Sequence, residues 1–305
     1  MSVSPTSLHA PRRSLHRSGR AKTGRELRNG IATVLIVAAV VLALAPLVFI
    51  VLFVFQKGGQ IVDWEFLTSD IPITDRTVGG GMWPAIVGTL VITAGATLMA
   101  VPLGILGGIY LNEYGQTSRL ARVIRFLSEV MTGVPSIVMG LFIYTFWVLR
   151  FKEQTGFAGA LALGCLMLPV VIRTTEEMLR LVPGELREGS YALGSRQART
   201  IRTVVLPHAA PGIVSGALLA VARAAGETAP LLFTIGIVSE PNWNLFSGTN
   251  TALSAQIFRN AASPFVGAQE RAYGAALTLI VIVFLFTTLA RVITSLYTRR
   301  TSAGA

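Results

Sequence analysis

Charge is what this chain has least of. Only 13% of its 305 residues are Asp, Glu, Lys or Arg, about half of what a soluble domain uses to cover its surface. Hydrophobic residues make up 52%, and mean hydropathy is +0.62. Several windows are long enough to cross a hydrocarbon layer of roughly 30 Å as helix, which excludes a soluble globular protein. Cysteine is almost missing too. Cys165 stands alone in an apolar run, so it cannot form an intrachain disulfide and reads as a small packing residue. One Cys and three scattered His residues, His9, His16 and His208, supply no metal cluster, and no cofactor is expected. The chain also lacks a phosphate-cradling Gly-x-x-x-x-Gly-Lys-Ser/Thr loop. Any process driven by nucleotide would need its motor in another polypeptide. No short-period repeat is visible.

The charge that is present is unevenly placed. A formal +11 and a pI near 10.8 suggest nucleic acid only until the distribution is read: seven of 26 Lys and Arg lie between Arg12 and Arg28, against the single acid Glu26. A basic segment ahead of an apolar run fits retention on the cytoplasmic side, so residues 1–30 are expected to form a disordered basic tail and no nucleic-acid partner is expected. The run Ile31 to Phe55 exceeds the core of a signal peptide and is followed by Gln56-Lys57-Gly58-Gly59, which is not a small-x-small cleavage site. It reads as a retained first span.

Further spans are expected at Pro84 to Tyr110, Phe126 to Leu149 with a Gly133-Val134-Pro135-Ser136 break, Phe157 to Ile172, Ala209 to Ile235 and Tyr273 to Leu296. Glycine and threonine crowd the second, where small residues let helices approach closely. Basic residues gather at Arg119, Arg122 and Arg125, in the segment Thr174 to His208, and at Arg299 and Arg300. Six crossings place all of these, and both termini, in the cytoplasm. An all-α integral membrane protein with six transmembrane helices follows, multi-pass in the cell membrane and in contact with lipid.

Two constellations stand out. The first is cytoplasmic: Pro183 opens a short helix, Glu185 and Glu188 favour its positive end, Gly194 permits a tight turn or close contact, and Gln197 to Val205 can form a second short helix ended by Pro207. This is either a hairpin that joins two spans or a knob that receives force from a partner. The second is Arg223 and Glu227, four apart on one face of the fifth span. A charge at the middle of a span costs roughly 2.5–3.5 kcal/mol and is normally paired or set in a polar cavity. The pair is either a structural salt bridge or a step for an anion, since Arg offers a planar fork of donors to phosphate or carboxylate. Arg173, at the exit of the fourth span, is either a snorkelling residue or a second donor. Pro230 is expected to break the fifth helix near the same depth.

The spacing of Glu188, Gly194, Val204, Leu206 and Pro207 resembles the cytoplasmic signature loop of inner-membrane subunits of binding-protein-dependent ABC importers. Gly189 and Ser190 stand where that family usually has two alanines, which keeps the side chains small. Gly133-Val-Pro-Ser-Ile137, Leu168 to Glu177, Tyr191-Ala-Leu-Gly194 and Ala222 to Leu231 resemble in particular the A-type permease branch of phosphate-specific importers. The resemblance covers about residues 31–298 and implies a type I importer fold of the MetI-like kind. It further implies a heterodimer with a second six-helix permease, two copies of a cytoplasmic ATP-binding subunit and an extracytoplasmic phosphate-binding protein. In that organisation 1–30 is a basic cytoplasmic tail, 31–298 the permease domain with 174–208 as its coupling segment, and 299–305 a short cytoplasmic tail. The family's loop docks on the ATPase, and Arg173, Arg223 and Glu227 match charged residues of its proposed path. Because Arg alone does not choose among oxyanions, sulfate, molybdate or phosphonate stay open as cargo, as does a scaffold for phosphate signalling that transports nothing.

Overall fold

The computed structural model describes the backbone of residues 19–115 and 117–302 and the side chains of residues 26–115 and 117–295. Residues 1–53 and 54–305 form two compact units. Helix α1 (Gly19–Gly58) continues through Pro46, and none of its most apolar window is buried. Leu42, Phe49 and Leu52 all face outward, the arrangement of a helix whose solvent is lipid. The expected disorder of the basic tail does not extend to residues 19–30, which are helical; residues 1–18 lie outside the described part.

The second unit carries α2 (Trp64–Thr68), α3 (Trp83–Ile109), α4 (Arg119–Gly133), α5 (Ser136–Ile143), α6 (Leu149–Phe151), α7 (Gly156–Arg180) and α8 (Gly184–Ala192). It continues with α9 (Gln197–Thr200), α10 (Leu206–Ala225), α11 (Leu231–Thr234), α12 (Leu253–Ala261) and α13 (Val266–Ser302). A widened π turn at Tyr110–Tyr114 finishes α3, and those at Tyr144–Val148 and Ile201–Val205 join neighbouring helices. Five described helical stretches are long and apolar enough to cross a membrane, at 26–58, 83–114, 156–180, 197–225 and 266–295. The pair 119–133 and 136–151 adds a sixth if it is counted as one span.

That pair corrects the expected third span. Phe126 to Leu149 is not a single helix, because α4 and the stretch beginning at α5 meet at a 107° corner. Val134 and Pro135 are extended, with ψ of 128° and 135°. A residue before proline is pushed out of the helical region, and proline has no amide to donate to the preceding turn.

The fourth span is also longer than its apolar run. α7 continues eight residues past Ile172 to Arg180, carried by the i,i+4 pairs Arg173–Glu177 (3.1 Å) and Glu176–Arg180 (2.6 Å). Pro207 does not stop a short helix as expected. It occupies the first turn of α10, where a missing amide is tolerated, and the π turn at 201–205 carries the helix across it. The fifth span therefore runs from Gln197 to Ala225 and ends at Gly226, well before Ile235.

Helices α3 and α7 form the centre of the unit. Thr155 accepts from the Ala158 amide at 3.3 Å to cap α7, and Pro84 sits in the first turn of α3. Both use small residues for close approach: a Cβ added at Gly104 would lie 2.7 Å from the Val171 Cβ, and one at Gly108 would lie 2.5 Å from that of Thr175. Their shared core is built largely from alanine, including Ala96, Ala100, Ala160, Ala224, Ala252 and Ala255, around Ile92, Leu163 and Met167. Large apolar side chains point the other way. Leu98, Leu106, Phe146, Leu219 and Phe284 are exposed, which inverts the pattern of a water-soluble bundle and suits lipid or a partner helix. Arg271, fully buried at the start of α13, donates to the carbonyls of Thr77 and Gly79 and so holds the 75–79 loop.

Candidate functional site

The site is built where two chain breaks meet. At one, α4 turns into α5 through Val134 and Pro135. At the other, α10 stops at Gly226 and the chain runs through Glu227, Thr228 and Ala229 before Pro230 caps α11. Gly140 of α5 packs directly on Pro230, since a Cβ there would lie 2.5 Å from the Pro230 Cα. This contact holds the two breaks side by side.

Between them lies a cavity of about 310 Å³, lined among others by Thr132, Pro135, Ser136, Met167, Arg223 and Glu227. Arg223 occupies the last turn of α10, and Glu227 lies just beyond that helix. Glu227 is therefore not on a continuous helical face as expected, although the break keeps its carboxylate near the guanidinium, with Nε to Oε1 at 3.6 Å. The Arg223 side chain is 76% exposed and that of Glu227 23%. The separation exceeds a hydrogen bond, and a pair this open is worth roughly 0–1 kcal/mol. The first turn of α5 opens onto the same cavity at Ser136, and a helix start carries partial positive charge.

A second cavity of about 130 Å³ adjoins the first, with Thr132 lining both. It holds Arg125, Glu129, Arg173, Glu176, Glu177 and Arg180. Arg173 is in the body of α7, not at its end, and its Nε meets Glu177 at 3.1 Å with both side chains more than half exposed. Arg173 and Arg223 thus line neighbouring cavities rather than one. Sequence reasoning missed Glu176, which is 10% exposed and accepts from Arg125 at 2.9 Å and Arg180 at 2.6 Å. It also left Thr132 and Ser136 out of the site. The i,i+4 spacing of Glu176 and Arg180 was the available signal for the first; Ser136 belonged to the Gly133-Val134-Pro135-Ser136 break, and nothing local marked Thr132.

The coupling segment has a defined shape. Pro183 is the N-cap of α8 and Gly184 its first residue. Glu188 and Gly189 are exposed on α8, and Ser190 Oγ lies 2.8 Å from Thr200 Oγ1. α8 closes at Gly194, whose φ is +78°. The Gly194 amide donates to the Tyr191 carbonyl at 2.9 Å and the Ser195 amide to that of Ser190 at 3.2 Å, a Schellman end that places a left-handed residue where glycine costs least. Val204 lies in the π turn. Leu206 packs against a cluster of Leu179, Val182, Val205, Ala209 and Ile213, with Pro207 following it in the first turn of α10. Among the described residues no group of three or more His, Cys, Asp or Glu is arranged to hold a metal.

With this geometry in view, the relatives can be compared. Residues 100–303 match the family of binding-protein-dependent transport system inner membrane components. The chain is similar to the phosphate transport system permease protein PstA 1 of Mycobacterium tuberculosis (strain CDC 1551 / Oshkosh), 43% identical over 280 residues that cover 90% of this chain and 91% of that one. It is equally similar to the phosphate transport system permease protein PstA of Yersinia pestis, 43% identical over 270 residues, 88% of this chain and 90% of that one. Among solved structures it resembles a bacterial ABC transporter involved in import of the acidic polysaccharide alginate, with TM-score 0.60, 11% identity, and coverage of 90% of this chain and 98% of that one. The inward-facing MetNI methionine ABC transporter is similar too, with TM-score 0.57, 20% identity, and coverage of 71% and 94%. At these identities the two structures speak for the fold alone.

Proposed function

The chain belongs to the binding-protein-dependent transport system inner membrane component family, and from this premise we propose that it is the A-type permease subunit of an ATP-driven phosphate importer. It is a multi-pass helical membrane protein and a non-hydrolysing subunit. In this reading the bent α4–α5 pair serves as one of six membrane elements, and both termini face the cytoplasm. A second six-helix permease completes the path as a heterodimer, two ATP-binding subunits sit below, and an extracytoplasmic binding protein delivers phosphate. Residues 1–30 and 299–305 are cytoplasmic tails, 31–298 the permease domain, and 174–208 its coupling segment.

The observation that carries the reading is Arg223. Its side chain stands more than three-quarters exposed, lining a cavity beside a loosely held carboxylate, which is wasteful for a structural ion pair and apt for a transient anion. Phosphate arriving in the cavity takes the Arg223 fork through charge-assisted hydrogen bonds. Glu227 reclaims the fork as the anion leaves, which keeps binding shallow enough for release. Arg173 offers the next donor in the adjoining cavity. The switch between outward and inward access comes from the ATPase pressing on Glu188, Gly189, Ser190, Gly194, Val204, Leu206 and Pro207. Pro230 and the break before it let the end of α10 shift without dragging a rigid helix, as broken helices do in other transporters.

The test is uptake of radiolabelled phosphate in cells whose only phosphate importer contains this chain. Competition by unlabelled phosphate but not by sulfate, molybdate or phosphonate is expected. Displacement by one of those anions instead would reassign the cargo, and assembly with no uptake of any of them would leave a scaffold.

A further inference from the structure

α8 has an unusual attachment for a helix asked to transmit force. It contains no buried residue, and Arg187 and Ser190, three apart on one face, are its two half-buried positions. Its hold on the membrane helices is therefore polar. The Arg187 guanidinium reaches in three directions: Nη2 to Glu113 Oε1 at 2.8 Å, Nη2 to the Leu179 carbonyl at 2.9 Å, and Nη1 to the Val182 carbonyl at 2.7 Å. Leu179 belongs to the end of α7, and Glu113 lies in the π turn that finishes α3. The Glu113 side chain is 5% exposed, and its Oε1 also accepts from Asn112 at 2.7 Å. The Gln197 amide group donates to the Glu113 carbonyl at 2.8 Å, which brings the start of the fifth span to the same point. One side chain thus bridges α8 to the ends of both central helices.

We propose that Arg187, seated on Glu113, is the positioning residue that turns ATPase movement at α8 into displacement of α3 and α7. The proposal rests on the reading that α8 docks the ATPase. A push on α8 reaches the cavity helices only as far as its anchorage is stiff. Apolar packing would supply that stiffness in most helix pairs, but α8 buries no apolar side chain, so a three-way charged clamp takes its place. Lysine keeps the charge but cannot span three acceptors in fixed directions. Glu113→Gln keeps the shape and removes the charge.

The experiment reconstitutes the complete transporter in vesicles and counts phosphate imported per ATP hydrolysed, with Arg187→Ala, Arg187→Lys and Glu113→Gln beside the wild type. The ATPase subunit should co-purify with each variant and basal hydrolysis should stay within about twofold. Phosphate imported per ATP should fall about tenfold or more in Arg187→Ala, the scale of losing a hydrogen bond to a charged group. It should fall less in Arg187→Lys and Glu113→Gln. Unchanged import per ATP in both Arg187→Ala and Glu113→Gln overturns the proposal, as does loss of the ATPase subunit, which would make Arg187 a docking residue. If Arg187→Ala fails to reach the membrane, the shape-preserving Glu113→Gln decides. Crosslinking from Glu188→Cys to the ATPase separates the two levels. Absence of any crosslink sinks the docking reading, while a normal crosslink with normal import per ATP sinks only the clamp.

Discussion

Replacing Arg223 by Gln removes the positive charge from the cavity while keeping much of the side-chain volume. Two effects can be weighed. Stability depends on the Glu227 contact, which is long at 3.6 Å and 76% exposed on the arginine side, so its loss costs roughly 0–1 kcal/mol. Anion binding depends on charge-assisted hydrogen bonds worth roughly 1.5–3 kcal/mol each, and a guanidinium gives two to a phosphate. Together these amount to about 3–6 kcal/mol, or about a hundredfold to ten-thousandfold in affinity. Exposure of the site favours the lower end. The variant should reach the membrane at the wild-type level by immunoblot and pull down the same partners. Its uptake of labelled phosphate at micromolar supply should drop about a hundredfold. Wild-type uptake would refute the assigned role. Loss of membrane assembly would show that the pair is structural, which its geometry argues against.

Other consequences follow from the same contacts. Glu227→Gln removes the competitor for Arg223, so half-saturation by phosphate should move to about two- to fivefold lower concentration with a slower maximal rate; initial-rate kinetics would show an unchanged half-saturation point if Glu227 does not compete. Gly140→Ala drives a methyl group into the Pro230 backbone, which cannot yield as a side chain does, and should lower stability by about 1–3 kcal/mol, read as a drop in the thermal midpoint of the purified protein. Gly194→Ala imposes a left-handed conformation at a cost of about 1–2 kcal/mol although nothing crowds the position, and should weaken co-purification of the ATPase subunit. Gly189→Ala, also in open space, should instead steady α8 by roughly 0.5–1 kcal/mol and leave uptake intact.

Much of this was legible from local signals. The apolar runs located the membrane helices, and α3 begins within a residue of its expected start because Pro84 fits only the first turn. Gly194 was expected to permit a tight turn or a close contact, and it makes the turn, with a φ of +78° and no neighbour crowding it. What failed were the bounds of the third, fourth and fifth spans. Ile172 looked like the end of a span because charges follow it, yet Arg173, Glu176, Glu177 and Arg180 pair one turn apart and let α7 continue. Pro207 looked like a stop, but a π turn carries the helix across it. The corner at Val134 and Pro135 was expected as a break within one span and proved to be a turn of more than a right angle. In each case a local feature outweighed the apolar pattern: ion pairs one turn apart, a π turn, a proline that forces its neighbour out of the helix. At the site the long-range fold decides more: Arg223 and Glu227 could be paired from their spacing, whereas Thr132 and Ser136 reach the cavity because α4 folds back at that corner.

The sharpest test is whether the cavity at Arg223 is a passage. Ser136→Cys, in a chain with Cys165→Ala, puts a single thiol on its wall within the assembled transporter. A charged, membrane-impermeant thiol reagent should modify it from the cytoplasmic side in the absence of nucleotide and from the opposite side when the complex is trapped with a non-hydrolysable ATP analogue. A thiol that reacts from neither side, or from the same side in both states, would contradict a phosphate path through this chain.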